Sequence, residues 1–494
     1  MAEENDMKLE IEEDSGYETS PEKAEKEEFR NFQEEPGDDD GENRHPTEHN
    51  SMLYTALIVV KTTIGAGILN LPLIIKTFGI IGGSILTFVL CFIAITVAYY
   101  LGRCKEVTQR YSYAIYSKLV LGVAGTVLIK ISLVVMLSTL AIVQLLVFGD
   151  VLKGLSLLFI DINTKLLVVG IAIVLLPFMF QKDISGITNY AYFGIIALVI
   201  YYLSHVILFI NKYSQNKIIF EKSMLYPNGT MKEIILCVGG YYNAFAFHMS
   251  FFSIYLPLKP RNTKTMMKSV TIGTITTSLI YLSYGVMFYL MYGSQISDSA
   301  LKYLQSDLFE AYKNNEMFIV IILVICFLSF LVNASISSMI HFYLFKSHFI
   351  GFIRFILKKR LEKEKAEEDK KGIPMVDINE KDENKENNEI RKFSDDVRSI
   401  EEKEVLLSER KQFWITFGCY CYALIMAISF NKIIVLDSFN GSTVANYINI
   451  IAPCMFYLYF TRTDKKYYGE KALAGFDFLF GTGLVICYFV FLFL

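Results

Sequence analysis

Apolar residues in this chain gather in long runs, without the alternation of a half-buried strand or the single apolar stripe of a soluble helix. Runs of about 18 residues or more cover a ~30 Å hydrocarbon core as helix. The pattern predicts eleven helical spans, at 52–74, 79–102, 122–148, 164–181, 188–210, 232–256, 268–293, 317–347, 413–431, 442–460 and 473–494. Two polar stretches frame them. Residues 1–51 carry nineteen acidic against five basic side chains and little apolar periodicity, the signature of a disordered tail. Residues 350–412 mix Lys and Glu runs and read as a charged loop, in part helical. The domain plan is therefore a tail (1–51), eight spans (52–349), a charged loop (350–412) and three spans (413–494).

Composition agrees: 53% of the 494 residues are hydrophobic and 20% charged, too apolar for an ordinary soluble protein. The expected class is an all-α membrane protein, with the bilayer as its surroundings and no nucleic-acid partner. No basic region with a short apolar core precedes residue 52, so no cleaved signal is expected and the first span serves for insertion. The eight cysteines lie in or beside apolar runs or in a basic loop, with no Cys-x-x-Cys pair, so neither a disulfide framework nor a zinc site is indicated.

Charge sets the orientation. With a cytosolic amino terminus, the loops 103–118 (Arg103, Lys105, Arg110, Lys118), 259–268 (Lys259, Arg261, Lys264, Lys268) and 461–472 (Arg462, Lys465, Lys466, Lys471) all face the cytosol, as the positive-inside rule requires. The opposite loop 294–316 leans acidic through Asp298, Asp307, Glu310 and Glu316. The sequons at Asn228 and Asn440 both fall in loops expected outside the cytosol and are candidate glycosylation sites. Trp414 sits at a span edge, where aromatic belts lie.

Chemistry enters through two interruptions. The first span runs Lys61-Thr62-Thr63-Ile64-Gly65-Ala66-Gly67-Ile68-Leu69-Asn70-Leu71-Pro72. Two glycines and a proline weaken the helix near mid-membrane; an unwound stretch exposes amides, and the next half-helix begins with partial positive charge, a combination suited to a carboxylate. Glycines also let membrane helices approach closely, so a packing seam is the competing account. The sixth span, Gly239-Gly240-Tyr241-Tyr242-Asn243-Ala244-Phe245-Ala246-Phe247-His248, again mixes small and polar residues at membrane depth. Five spans separate the two, so they occupy corresponding places in a five-plus-five inverted repeat, the arrangement that marks a transporter site.

These residues resemble a known family. Lys61 to Pro72 is similar to the first span of the amino acid/auxin permeases, closely so in the form of their proton-coupled members. The run Phe245-Ala246-Phe247-His248, with Ile254-Tyr255, Leu258-Lys259 and Met266-Met267 downstream, looks like the neutral amino acid transporters of systems A and N. The pattern from Tyr113 to Leu121-Gly122 and Gly125 is also similar. The resemblance covers 52–350 by motif and 413–494 by span count, while the 350–412 loop is longer than usual. It implies a leucine-transporter-like fold in which Gly65, Ala66 and Gly67 amides hold the substrate carboxylate, and carbonyls around Ala244, Phe245, Ala246 and Phe247 its ammonium, with His248 beside them.

Ionisable groups at membrane depth are functional candidates. No Asp or Glu falls centrally in any of the eleven predicted spans, which leaves Lys61, Lys130, His205, His248 and His341. Lys130 can snorkel. His205 and His341 read as hydrogen-bonded structural histidines, and His248 suits either a structural bond or proton handling. Lys61 lies four residues before Gly65, where sodium-coupled relatives that this chain resembles carry an asparagine. An ammonium cannot ligate a cation but can stand in for one, as a fixed or titratable charge. Asn333, Ser335, Ser337 and Ser338 of the eighth span form a polar cluster that can complete such a coupling-ion site, and Ser337 and Ser338 are assigned to it.

The expected function is secondary transport of neutral amino acids, proton-coupled or facilitative. The alternatives are a sodium-coupled symporter and an amino-acid sensor that signals through the cytosolic segments. No cofactor is expected beyond a coupling proton or sodium ion. Neither an enzyme's catalytic constellation nor a channel filter is present in the sequence. Glu402 to Leu407 has the spacing of an acidic dileucine signal, which makes sorting adaptors partners through Leu406 and Leu407 and points to a vacuolar or endolysosomal membrane, with the plasma membrane as alternative.

Overall fold

The computed structural model describes residues 50–180, 191–297, 299–370, 408–430, 433–463 and 467–493. The acidic residues 1–49 and the Leu406-Leu407 pair lie outside these. Among the described residues the elements are helical, as the long apolar runs require: a backbone in lipid satisfies its own polar groups most simply as helix.

The chain opens with α1 (Met52–Thr63), breaks, and resumes as a 3₁₀ turn (Ala66–Asn70) that runs into α2 (Leu71–Thr108). Ala66 to Thr108 is 43 residues, about 65 Å of helix, twice a hydrocarbon core. It folds back at Gly79, whose φ of 69° is left-handed and whose absent side chain would collide with the Tyr226 carbonyl at 2.4 Å. Glycine alone meets both demands. The arm before Gly79 completes the first span, and the arm after it is the second. The chain continues with α3 (Tyr113–Ser156), α4 (Thr164–Met179), α5 (Ala191–Ser214), α6 (Met231–Ala244), α7 (Phe251–Tyr255) and α8 (Thr263–Tyr292). After α8 come the short amphipathic α9 (Ala300–Lys313), then α10 (Met317–Lys370) and α11 (Glu409–Ser429). The last part comprises α12 (Ile433–Ser442), α13 (Val444–Asn446), a π-helical turn (Tyr447–Ile451), α14 (Ala452–Phe460) and α15 (Tyr468–Phe493).

Eight described helices are long and apolar enough to cross a membrane, and α12 with Val444–Phe460 makes a ninth, bent by 40°. Separating the arms of α2 and adding the short α4 accounts for the eleven predicted spans. Corresponding spans of the two halves meet: α8 lies along α2, and α10 along α3. Each helix buries one face and turns apolar side chains outward. On α5, Ile196, Ile200, Leu203, Ile207 and Ile210 are exposed at helical spacing, while Tyr201, His205 and Leu208 are buried. Exposed isoleucines at such spacing fit a lipid surround.

Four expectations need correction. The described part of the tenth span begins at Ile433, nine residues before its predicted start, and is itself interrupted at Thr443. The stretch 433–441 is therefore helix, and Asn440, expected in an outer loop as a glycosylation site, is fully buried. A glycan has no room there. The early start also places Asp437, 2% exposed, within α12, and Asp477 is fully buried nearly three turns into α15, which begins at Tyr468 rather than 473, so two carboxylates lie at membrane depth. Finally α10 does not end near residue 347 but runs on to Lys370, 54 residues and about 80 Å, into the segment read as loop.

Candidate substrate and coupling site

The first interruption is a clean break. Thr62 and Thr63 turn their hydroxyls back to the Ile58 and Val59 carbonyls at 2.8 and 2.7 Å, closing α1. Ile64 is then extended (φ −81°, ψ 93°) and Gly65 sits at φ −113°, ψ −148° before the 3₁₀ turn begins. The first amides of a helical turn have no acceptor inside it, so Ala66 and Gly67 stand at a donor-rich start. The two glycines do different work. A methyl on Gly67 would lie 2.8 Å from the Ala244 Cβ, so Gly67 is where the two broken spans touch. A methyl on Gly65 would meet nothing within 4 Å. The two glycines therefore differ: Gly67 forms a packing seam, while Gly65 borders open space.

The second interruption faces the first. α6 starts on a reciprocal Thr230–Glu233 capping box and ends where the Phe245 and Ala246 amides fold back to the Tyr242 and Asn243 carbonyls, at 2.9 and 3.1 Å. A single 3₁₀ turn at His248–Ser250 leads into α7. Tyr281 of α8 joins the two breaks. Its hydroxyl lies 2.9 Å from the Thr63 carbonyl and 2.9 Å from the Ala244 carbonyl, the ends of α1 and α6, and its proton is shared between them. Sequence reading passed over Tyr281, since nothing marks one buried tyrosine among 31.

Of the expected substrate residues, Gly65, Ala66, Gly67, Ala244 and Phe245 come together around this junction, with Phe245 edge-on to the Tyr281 ring at 5.4 Å. Ala246 is partly buried beside them. Phe247 and His248 turn toward the second span. His248 is fully buried, stacks on Phe247 at 4.4 Å, and donates from Nε2 to the Ala94 carbonyl at 2.8 Å. Its own carbonyl accepts from the Tyr113 hydroxyl at 3.2 Å. These bonds hold the broken span to α2 and α3. His205 is likewise bonded within its own helix, to the Tyr201 carbonyl at 3.1 Å. Lys130 lies over the Phe355 ring.

Lys61 reaches across to the eighth span. Its ammonium donates to Asn333 Oδ1 at 2.6 Å and Ser337 Oγ at 3.0 Å. Gly194 of α5 makes the room: a methyl there would lie 2.6 Å from Lys61 Cε. The expected partner Ser337 is present, and Asn333, singled out only as part of the cluster, is the shorter contact. Ser338 is buried on the same helix without a bond to Lys61. His341 lies one turn beyond Ser337 on α10. No carboxylate pairs with Lys61 among the described residues.

A third set lies beside the breaks. Asp437 of α12 accepts from Asn70 Nδ2 at 2.6 Å and Asn243 Nδ2 at 3.2 Å, and Asn440 Nδ2 donates to Asn243 Oδ1 at 3.3 Å. Asn70 ends the 3₁₀ turn after the first break, and Asn243 is the residue before Ala244 at the second. The signal was present in the sequence, since the apolar run Ile433 to Leu436 precedes Asp437 directly. The Asn440-Gly441 pair reads as a turn and hid it. A second buried aspartate, Asp477, accepts from the Tyr100 and Thr96 hydroxyls at 2.9 and 3.0 Å, between α15 and α2.

With this geometry in view, the likenesses to known proteins have a physical counterpart. The model for the transmembrane amino acid transporter protein family matches residues 48–494. The amino acid transporter AVT6E of Arabidopsis thaliana is 24% identical over 277 residues, 52% of this chain and 56% of that protein, so the chain spans little more than half the length of this curated relative. Among solved structures, Mhp1, a nucleobase-cation-symport-1 family transporter caught closed on bromovinylhydantoin, superposes with a TM-score of 0.53 at 12% identity, over 91% of this chain and 92% of that one. A manganese transporter of Eremococcus coleocola gives a TM-score of 0.40 at 12% identity over 91% and 98% of the chains, a likeness on which nothing rests. The fold is leucine-transporter-like, with two halves of five spans, and the chain belongs to the transmembrane amino acid transporter family, the amino acid/auxin permeases.

Proposed function

We propose that this protein is a secondary transporter of neutral amino acids, driven by protons or running as a facilitative exchanger, and not by sodium. One observation carries the reading: the two broken spans meet with open space at Gly65, beside the amide-rich start at Ala66–Gly67 and the carbonyl-rich end at Ala244. The donors suit an α-carboxylate and the acceptors an α-ammonium, the parts all amino acids share. The substrate's other half is left to apolar and aromatic walls such as Phe245, which favours a neutral side chain.

Lys61 supports the choice of ion. Its ammonium, held by Asn333 and Ser337 between α1, α5 and α10, takes the place a bound cation would need and repels one. It acts as a fixed charge that stands in for sodium. The amino terminus faces the cytosol, and the dileucine string ending at Leu406-Leu407 directs the protein through sorting adaptors to an endolysosomal or vacuolar membrane.

Purified protein in proteoliposomes tests this. Uptake of labelled neutral amino acids is expected to saturate, to rise when the outside is acidified, and to be indifferent to replacing sodium with potassium. Sodium-dependent accumulation would overturn the choice of ion. Absence of saturable flux or counterflow for every amino acid tried, with binding retained, would favour the sensor reading instead.

A further inference from the structure

We infer that Asp437 is the proton-binding group of the transport cycle, and that the Asn70 and Asn243 amides convert its protonation state into movement of both interrupted spans. The inference rests on the transport reading above and supplies the carrier of the proton, which Lys61 as a fixed charge does not.

The geometry is unusual for a carboxylate kept for structure alone. Asp437 is 2% exposed in a membrane-buried helix, and no cation pairs with it among the described residues. Two neutral amides hold it, one on each carboxylate oxygen. Among the described residues, no lysine, arginine or histidine of a neighbouring element bonds to or acts on Asp437. α8 brings the Tyr281 phenol, α6 brings Tyr241 and Tyr242, and α15 brings Asp477, which is bound to Tyr100 and Thr96. On α3, Lys130 is turned to Phe355. A buried anion with amide donors alone is held less firmly than one in an ion pair, and taking up a proton relieves its desolvation. Next to it, Asn440 Oδ1 and Ser442 Oγ are buried with no hydrogen-bond partner, so polar surface continues along α12 to the break at Thr443.

The step is a simple association. One Asp437 oxygen takes H⁺ from the aqueous phase on the side where α6 and α12 begin, forming an O–H bond. That bond breaks again when the proton leaves to the other side, and no electron changes hands. The ionised carboxylate accepts from both asparagines. The protonated one is uncharged and gains a donor on one oxygen, so the amide bond to that oxygen weakens or the amide turns over to accept. Asn70 is three residues beyond Gly67, and Asn243 is one before Ala244. Loading the proton therefore loosens the contact between α12 and one or both breaks, beside the substrate.

Asp437→Asn and Asp437→Glu in the full-length protein, reconstituted and assayed for accumulation under a pH gradient and for counterflow across a pH series, test the inference. Folding is checked by size-exclusion elution in detergent. Asp437→Asn is expected to lower gradient-driven accumulation by about tenfold or more and to flatten the pH profile of counterflow. Asp437→Glu is expected to keep a pH-dependent profile. A wild-type pH profile and accumulation in Asp437→Asn would overturn the inference. Should Asp437→Asn fail to fold, Asn243→Ala decides. Removing a donor to the anion is expected to move the midpoint of the pH profile upward by about one unit, and an unmoved midpoint overturns the inference. Wild-type protein that transports nothing would instead overturn the transport reading.

Discussion

Gly65 and Gly67 stand two residues apart and answer to different constraints. The Gly67 site is filled on its far side by Ala244, so Gly67→Ala forces one broken span off the other. Overpacking of this kind costs about 1–3 kcal/mol. Lower thermal stability in detergent and loss of uptake are expected together. Gly65 has free space and a negative φ that any residue adopts, so Gly65→Ala is expected to fold with wild-type stability while raising the KM for amino acid. Equal stability losses in the two variants would remove the distinction. The glycine pair was legible in the sequence as a break, but the division of labour was not, because it depends on which neighbour each glycine faces. Asp437 shows the same limit more sharply. Its burial follows from a helix already formed at Ile433, nine residues before the predicted span, and an Asn-Gly pair inside a membrane helix reads as a turn until packing against α6 is known.

Among the elements, α1, α5 and α10 meet at Lys61, and the contact explains why the eighth span carries Asn333 and Ser337 in apolar surroundings. Their oxygens need a donor, and leaving buried acceptors unmet costs about 1–3 kcal/mol. Lys61→Met is therefore expected to lower stability by that order and to slow uptake, while the dependence on pH persists, since the proposed proton carrier is Asp437. A flattened pH profile in Lys61→Met, measured on the same vesicles, would return the proton to the lysine. The polar cluster and the lysine were each visible in the sequence. Which of Asn333, Ser337 and Ser338 meets the ammonium was not, since helical spacing puts all three within reach and only the rotation of α10 selects among them.

For the whole molecule, the run lengths gave span number and class because lipid leaves the backbone few other choices. Sidedness is the part that rests on loop charge. Asn228 lies exposed in the turn before α6, and Asn440 is buried. In a eukaryotic host, Asn228→Gln is expected to abolish an endoglycosidase-sensitive shift on a gel, whereas Asn440→Gln leaves that shift intact. A shift unaffected by Asn228→Gln would reopen the orientation.

The start of α1 is fastened to the end of the sixth span. The Asn50 amide donates to the Pro257 carbonyl at 2.8 Å, and the Lys259 amide returns to the Asn50 carbonyl at 3.0 Å. Ser269 adds a hydroxyl bond to the Met52 carbonyl at 2.9 Å. The two half-helices on that side thus behave as one lever with a common hinge pin. If α1 swings to open a path, it either carries the 257–259 segment with it or snaps two backbone bonds, each worth about 1 kcal/mol net. Tension applied to the polypeptide ahead of Asn50 would pull on both interrupted spans at a single point.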